Sequence, residues 1–166
     1  RDFFGGTVRF FTPDGAPVAS EGGMRAVADG AFADLGPDAY NALAVIGSAV
    51  WMSDAAPDIG PIVRAADAAG RLTGFICGAT AAAARAGLLD ARAHTSNSRD
   101  TLKAVAAYRG EPHYRDVPHA VRDGHIVTAA GFAPRSFAFE MLQALLPGEA
   151  RNLGYYKQEL TAERFA

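Results

Sequence analysis

The chain has a single cysteine, Cys77, set in Leu72-Thr73-Gly74-Phe75-Ile76-Cys77-Gly78-Ala79-Thr80. The apolar run to Ile76 predicts a strand, and the small residues after Cys77 predict a helix that begins at once. A cysteine at such a junction has the geometry of a nucleophile elbow, where a sharp turn lifts a side chain above the sheet. Gly78 and Ala79 are small enough to tolerate the turn. A thiol beside a helix N-terminus is favoured as the thiolate, the form that attacks carbon. The N–H of Gly78 points to where a developing oxyanion would lie. The competing reading is a buried structural cysteine, because free cysteine packs as a small hydrophobe.

A thiol nucleophile works with a base in hydrogen-bond reach, and the chain offers His94, His113, His119 and His125. His94 precedes Thr95-Ser96-Asn97, a polar loop that could approach the cysteine and place His94 and Thr95 in its pocket. A satisfied core histidine is the alternative for His94. His119 follows a proline and reads as exposed, and His125 reads as part of a hairpin. Trp51 could wall the same pocket or simply fill the core. No His-x-x-x-His or Cys-x-x-Cys spacing is present, so no metal is expected. No Gly-x-Gly-x-x-Gly follows a strand and no Gly-Lys-Ser/Thr occurs, so no nucleotide cofactor is expected either.

The elements that must position these groups alternate. Strands are predicted over 7–12, 41–46, 71–76, 91–95 and 126–129, with a small hairpin over 16–27 and another around Asp123-Gly124. Helices are predicted over 57–69, 78–88, 99–108, 132–146 and 149–160, with Ser98 as an N-cap and Gly70 closing the first. Such alternation implies an α/β fold, a mostly parallel sheet with helices on both faces. A site in such a sheet lies beyond the carboxyl ends of its strands, which selects the loops after Ile46, Ile76 and Ala129.

The chain is 166 residues with 49% hydrophobic and 20% charged content, a composition that buries a core and excludes general disorder. Its length fits one domain spanning 1–166. The net charge of −2, with basic residues scattered, argues against a nucleic-acid partner. Apolar runs are too short to span a bilayer, so no membrane partner is expected. A lone cysteine forms no internal disulfide, which fits the reducing cytoplasm. Arg1-Asp2-Phe3-Phe4-Gly5-Gly6 reads as the last turn of a helix and its glycine cap, so an upstream segment holding the rest of that helix and a strand is expected.

Phe75-Ile76-Cys77-Gly78-Ala79-Thr80 followed by Ala86-Gly87-Leu88-Leu89 resembles the cysteine elbow of the ThiJ/PfpI superfamily, which is class I glutamine amidotransferase-like. The resemblance continues in Ala93-His94-Thr95-Ser96, in Asp123 to Gly131, and in Phe137 to Leu145. Within the superfamily the chain looks similar to bacterial type 1 glutamine amidotransferase or intracellular protease/amidase members.

The resemblance implies a flavodoxin-like three-layer sandwich, a homodimer, and a first strand carrying an acidic residue near the cysteine. It also implies an oxyanion hole from the backbone of Gly47 or Ser48 and of Gly78. Peptidases of the superfamily carry a histidine directly after the cysteine, where this chain has Gly78. Another branch places a histidine before the Asp-Gly hairpin, which marks His113 as the partner of Cys77. The implied function is a cysteine-dependent enzyme on a small electrophilic substrate, of glyoxalase or deglycase type, or hydrolysing or hydrating an amide or isonitrile. The alternatives are a non-catalytic oxidation-sensing stress or chaperone-like protein and a ligand-binding module.

Overall fold

A strand covered on both faces is buried along its whole length rather than at alternate residues, and 72–75 is buried at every residue, the Thr73 hydroxyl donating to the Arg71 carbonyl at 3.0 Å. It forms the centre of the fold in the computed structural model, which describes residues 6–20, 22–149, 153, 154 and 157. In chain order, β1 (Phe11–Thr12), β2 (Val18–Ala19), β3 (Arg25–Ala26) and β4 (Gly30–Ala31) precede β5 (Ala42–Val45). Then come α1 (Gly60–Ala68), β6 (Leu72–Ile76), α2 (Ala79–Arg85) and α3 (Arg99–Lys103). The hairpin β7 (Val121–Asp123) and β8 (Ile126–Ala129) and the helix α4 (Pro134–Leu145) follow.

The principal sheet has the order β5-β6-β8-β7. β5 and β8 flank β6 in parallel, with Val45 opposite Phe75 and Phe75 opposite Thr128. β7 joins β8 antiparallel across Asp123-Gly124, where Gly124 takes the positive φ (60°) that the tight turn requires. β2 and β3 form the expected small hairpin, and β1 pairs with β4 in parallel. Among the described residues β5 has a strand partner on one side only, and Ala44 and Ile46 are exposed.

Helices cover both faces, as a parallel sheet requires. Phe75 and Ile126 point into a cluster with Val63 of α1, the alanines of α2, and Leu88, Leu89 and Leu102. Val127 and Ala129 point the other way, to Phe137 and Met141 of α4. Gly74 lets α4 lie directly on the sheet: a Cβ there would sit 2.6 Å from Met141 Sδ and from Phe137 Cζ. α2 is buried from Ala79 through Ala84, and only small side chains let a helix sit that close.

Several expected elements are shorter. The strand expected over 7–12 is reduced to β1, because residues 7–10 are exposed and find no ladder among the described residues. The strand expected over 91–95 is a single bridge, His94 to Tyr114. The helix expected over 99–108 ends at Lys103, although Ser98 caps it as expected, its Oγ accepting from Thr101 N at 3.1 Å. The helix expected over 78–88 stops at Arg85 and closes through Gly87, whose φ is 76°. The helix end expected at 1–6 and the final helix over 149–160 fall largely outside the described residues.

Candidate active site

Cys77 follows the last residue of β6 and precedes α2 by one residue. Its N–H still bonds the Ala129 carbonyl at 2.9 Å, as the last rung of the strand. Its own carbonyl already belongs to the helix, accepting from Thr80 N at 3.2 Å and from Thr80 Oγ1 at 2.8 Å. To serve both, Cys77 adopts φ 59°, the one positive φ outside glycine among the described residues. Left-handed backbone costs an L-residue roughly 1–2 kcal/mol. The turn is therefore strained, and it throws the side chain out at the carboxyl end of the sheet. The Thr80 hydroxyl proton is committed to the Cys77 carbonyl, so Ser96 Oγ, 2.7 Å away, donates to Thr80 in turn. Thr80 and Ser96 are both buried, which makes this pair a brace beneath the elbow.

Two glycines make room for the thiol. A Cβ on Gly47 would stand 2.5 Å from Cys77 Cβ and 3.4 Å from Sγ, and one on Gly131 would stand 2.8 Å from Sγ. The loops after β5, β6 and β8 thus meet at the sulfur, at the end of the sheet where such folds place ligands. A fourth segment, the loop before α3, adds Asn97. Asn97 Nδ2 donates to Cys77 Sγ at 3.4 Å, and Asn97 Oδ1 accepts from Gly131 N at 2.8 Å. A backbone N–H can only donate, so the oxygen of Asn97 faces Gly131 and its NH2 faces the sulfur. Asn97 is exposed and Cys77 half-buried, so one side of the thiol meets solvent.

The residues expected to form an oxyanion hole lie against the elbow. The Ser48 carbonyl closes on Gly78, leaving no space for a Cβ there. Among the described residues no backbone bond takes the Gly78 N–H. The Ser48 hydroxyl is occupied, accepting from Val50 N at 3.2 Å to cap the turn over 49–52. Trp51 is buried in the core, and its Nε1 donates to the Ile46 carbonyl at 2.9 Å, pinning the strand end that leads into Gly47. It therefore anchors the site's loop rather than walling an open pocket.

The histidines are dispersed. His94 is fully buried, with Nδ1 2.7 Å from the Arg92 carbonyl and Nε2 2.7 Å from the Tyr108 hydroxyl. A carbonyl only accepts, so Nδ1 carries the proton and Nε2 accepts from Tyr108. Burial pushes the His94 pKa down, opposed by its bond to the Arg92 carbonyl. Burial first, and then the Glu111 charge, push the Tyr108 hydroxyl up to about 12. His94 is thus a satisfied core histidine, and Thr95 beside it is buried too, its N–H donating to Thr128 Oγ1 at 2.9 Å. His113 ends a single helical turn over 111–113, and its carbonyl accepts from His94 N at 3.3 Å. Among the described residues no hydrogen bond joins His113 to Cys77; the sulfur's side-chain partner is Asn97. His125 lies at the amino end of β8, away from the elbow, with Nε2 2.7 Å from Asp67 Oδ1. His119 is exposed, its Nδ1 donating to the Ala120 carbonyl. Asn97 was not singled out by the sequence; its signal was the polar run Thr95 to Ser98 ending on a helix cap.

A doubly covered parallel sheet with a cysteine at a strand-to-helix elbow defines a class of α/β proteins. The comparisons make the class specific: residues 4–144 match the DJ-1/PfpI family, and the chain belongs to it. A solved DJ-1 superfamily protein from Agrobacterium tumefaciens, Atu0886, is 40% identical with a TM-score of 0.87, over 95% of this chain and 86% of that one. A thiJ/pfpI family protein from Bacillus anthracis is 28% identical with a TM-score of 0.72, over 92% of this chain and 77% of that one. An uncharacterized protease of Bacillus subtilis (strain 168), YoaZ, is 48% identical over 71 residues, 42% of this chain and a third of that relative's length (33%). No helix among the described residues is long and apolar enough to cross a membrane.

Proposed function

We propose that the chain is a cysteine-dependent enzyme acting on a small carbonyl electrophile, with glyoxalase or deglycase chemistry as the leading form. The observation that carries this reading is the strained elbow at Cys77, φ 59°, with its sulfur kept clear by Gly47 and Gly131. Strain of this kind persists where a side chain must be presented, and a packing cysteine has no use for it. In the proposed reaction Cys77 Sγ adds to the aldehyde carbon of a 2-oxoaldehyde, and the carbonyl oxygen becomes an oxyanion. In this scheme the N–H of Gly78, which takes no backbone partner among the described residues, and the backbone N–H groups of Gly47 and Ser48 stabilise that charge. A proton then moves from the former aldehyde carbon to its neighbour, leaving a thioester that water cleaves to the 2-hydroxy acid and free thiol. His113 carries the proton in this scheme, a role resting on its resemblance-based placement.

The test is turnover of methylglyoxal to lactate by the purified protein beside Cys77→Ser. Turnover that disappears in Cys77→Ser while His113→Ala slows it and spares thiol alkylation is the expected pattern. No turnover in the parent protein overturns the glyoxalase form, and amide and isonitrile substrates then test the remaining electrophiles. The half-buried, solvent-contacting thiol also favours a second reading, oxidation sensing. Peroxide would then add oxygen to Cys77 in a protein that turns over none of these substrates. The enzyme reading includes a homodimer, checked by sedimentation.

A further inference from the structure

We propose that Asn97 is the residue that holds the Cys77 sulfur in its reactive, charged form, with Gly131 fixing which way its amide points. This rests on Cys77 being the reactive thiol. Asn97 meets the sulfur from outside the three loops that carry the elbow and the oxyanion groups, and its Nδ2–H donates to Sγ at 3.4 Å. A donor favours the ionised form of the group it faces over the neutral form, because the bond to a charge is the stronger one. An asparagine amide can turn over and present its oxygen instead, which would repel a thiolate. Here it cannot do so freely, since Gly131 N donates to Oδ1 at 2.8 Å and the flipped amide would set two N–H groups against each other.

Gly131 acts twice in this arrangement. Its N–H orients the amide, and its missing side chain leaves the space in which sulfur and amide meet: a Cβ there would be 2.8 Å from Sγ and 3.5 Å from Asn97 Oδ1. No histidine among the described residues shares the sulfur, so the proton leaves to solvent across the open side, and the amide stabilises what remains. The loop Thr95 to Ser98 is itself well held. Thr95 N–H bonds Thr128, Ser96 bonds Thr80, and Ser98 caps α3. The amide is therefore delivered by a braced segment rather than by a free loop.

The experiment follows alkylation of Cys77 by iodoacetamide, read by intact mass, from pH 5 to 10 in the parent chain, Asn97→Ala and Asn97→Asp. Asp keeps the acceptor for Gly131 N–H but removes the donor and adds a negative charge. The expected result is alkylation near neutral pH that is slower by about tenfold in Asn97→Ala, the loss of one bond to a charged group. Asn97→Asp is expected to be slower still, with the pH profile of both variants displaced to higher pH. The slowed variants reach the parent rate at high pH, where the thiolate forms without help. If Asn97→Asp keeps the parent profile, Asn97 only supports Gly131 and the proposal is overturned. If both variants are slower by the same factor at every pH, access has changed rather than ionisation, and it is overturned as well. If the parent Cys77 takes no label at any pH, the reading of Cys77 as a reactive thiol fails with it, an outcome distinct from the other two.

Discussion

Replacing Cys77 by glycine and, separately, by alanine isolates the backbone strain at the elbow. Both variants lose the sulfur and its bond to Asn97, so those losses cancel when the two are compared. What differs is how each residue tolerates φ 59°. At an ordinary position glycine is the less stable of the two by roughly 0.5–1 kcal/mol, because it has more backbone freedom to lose on folding. At a left-handed position alanine carries a steric cost of roughly 1–2 kcal/mol that glycine does not. Alanine also retains the Cβ that packs against Gly47, a contact too small to reverse the order. The middle of each range leaves Cys77→Gly more stable than Cys77→Ala by about 0.75 kcal/mol, within a span of about 0–1.5, the reverse of the usual order. For a chain of this size that is about 1–4 °C in Tm. Urea and thermal unfolding of the two variants measure it directly. A Cys77→Ala protein more stable than Cys77→Gly, the order of an ordinary position, would refute the left-handed elbow and with it the reading that the turn exists to present the side chain.

Three further perturbations follow from the same geometry. Gly47→Ala places a Cβ 2.5 Å from Cys77 Cβ and 3.0 Å from the Ile76 carbonyl; a loss of about 1–3 kcal/mol in urea unfolding and slower Cys77 alkylation are expected. Thr80→Val keeps the side-chain shape but strips the Cys77 carbonyl and Ser96 of their shared partner in a buried spot, at a cost of about 1–3 kcal/mol by the same measurement. For His94, burial holds the folded pKa below its unfolded value of about 6.5, so the unfolded chain takes up the proton first. Stability is then full above about pH 6.5 and falls as pH drops toward the folded value, with a slope of up to about 1.4 kcal/mol per pH unit. His94→Gln removes that part of the slope in unfolding curves from pH 7 to 5, and an unchanged slope would show that His94 takes up its proton alike in the folded and unfolded chains.

The sequence determined the frame of this protein because the frame depends on local patterns. The buried strand 72–76, the helix capped by Gly70, the Asp-Gly hairpin and the cysteine at a strand-to-helix junction each carry their signal within a dozen residues. The carboxyl-end rule then selected the loops after Ile46, Ile76 and Ala129, and Gly47, Cys77 and Gly131 do converge there. Element ends were read less well. Whether 7–12 or 91–95 extends into a ladder depends on a distant strand being there to pair, which no local pattern reports. Tertiary structure alone decided the partners of the polar groups. His94 and Thr95 lie in a polar run that could have faced the site, yet Tyr108 and Thr128 take them into the core. Asn97, two residues on in the same run, reaches the sulfur because Gly131, 34 positions away, turns its amide. A hydrogen bond is set by the meeting of two atoms in space, and the sequence between them places no limit on which atoms meet.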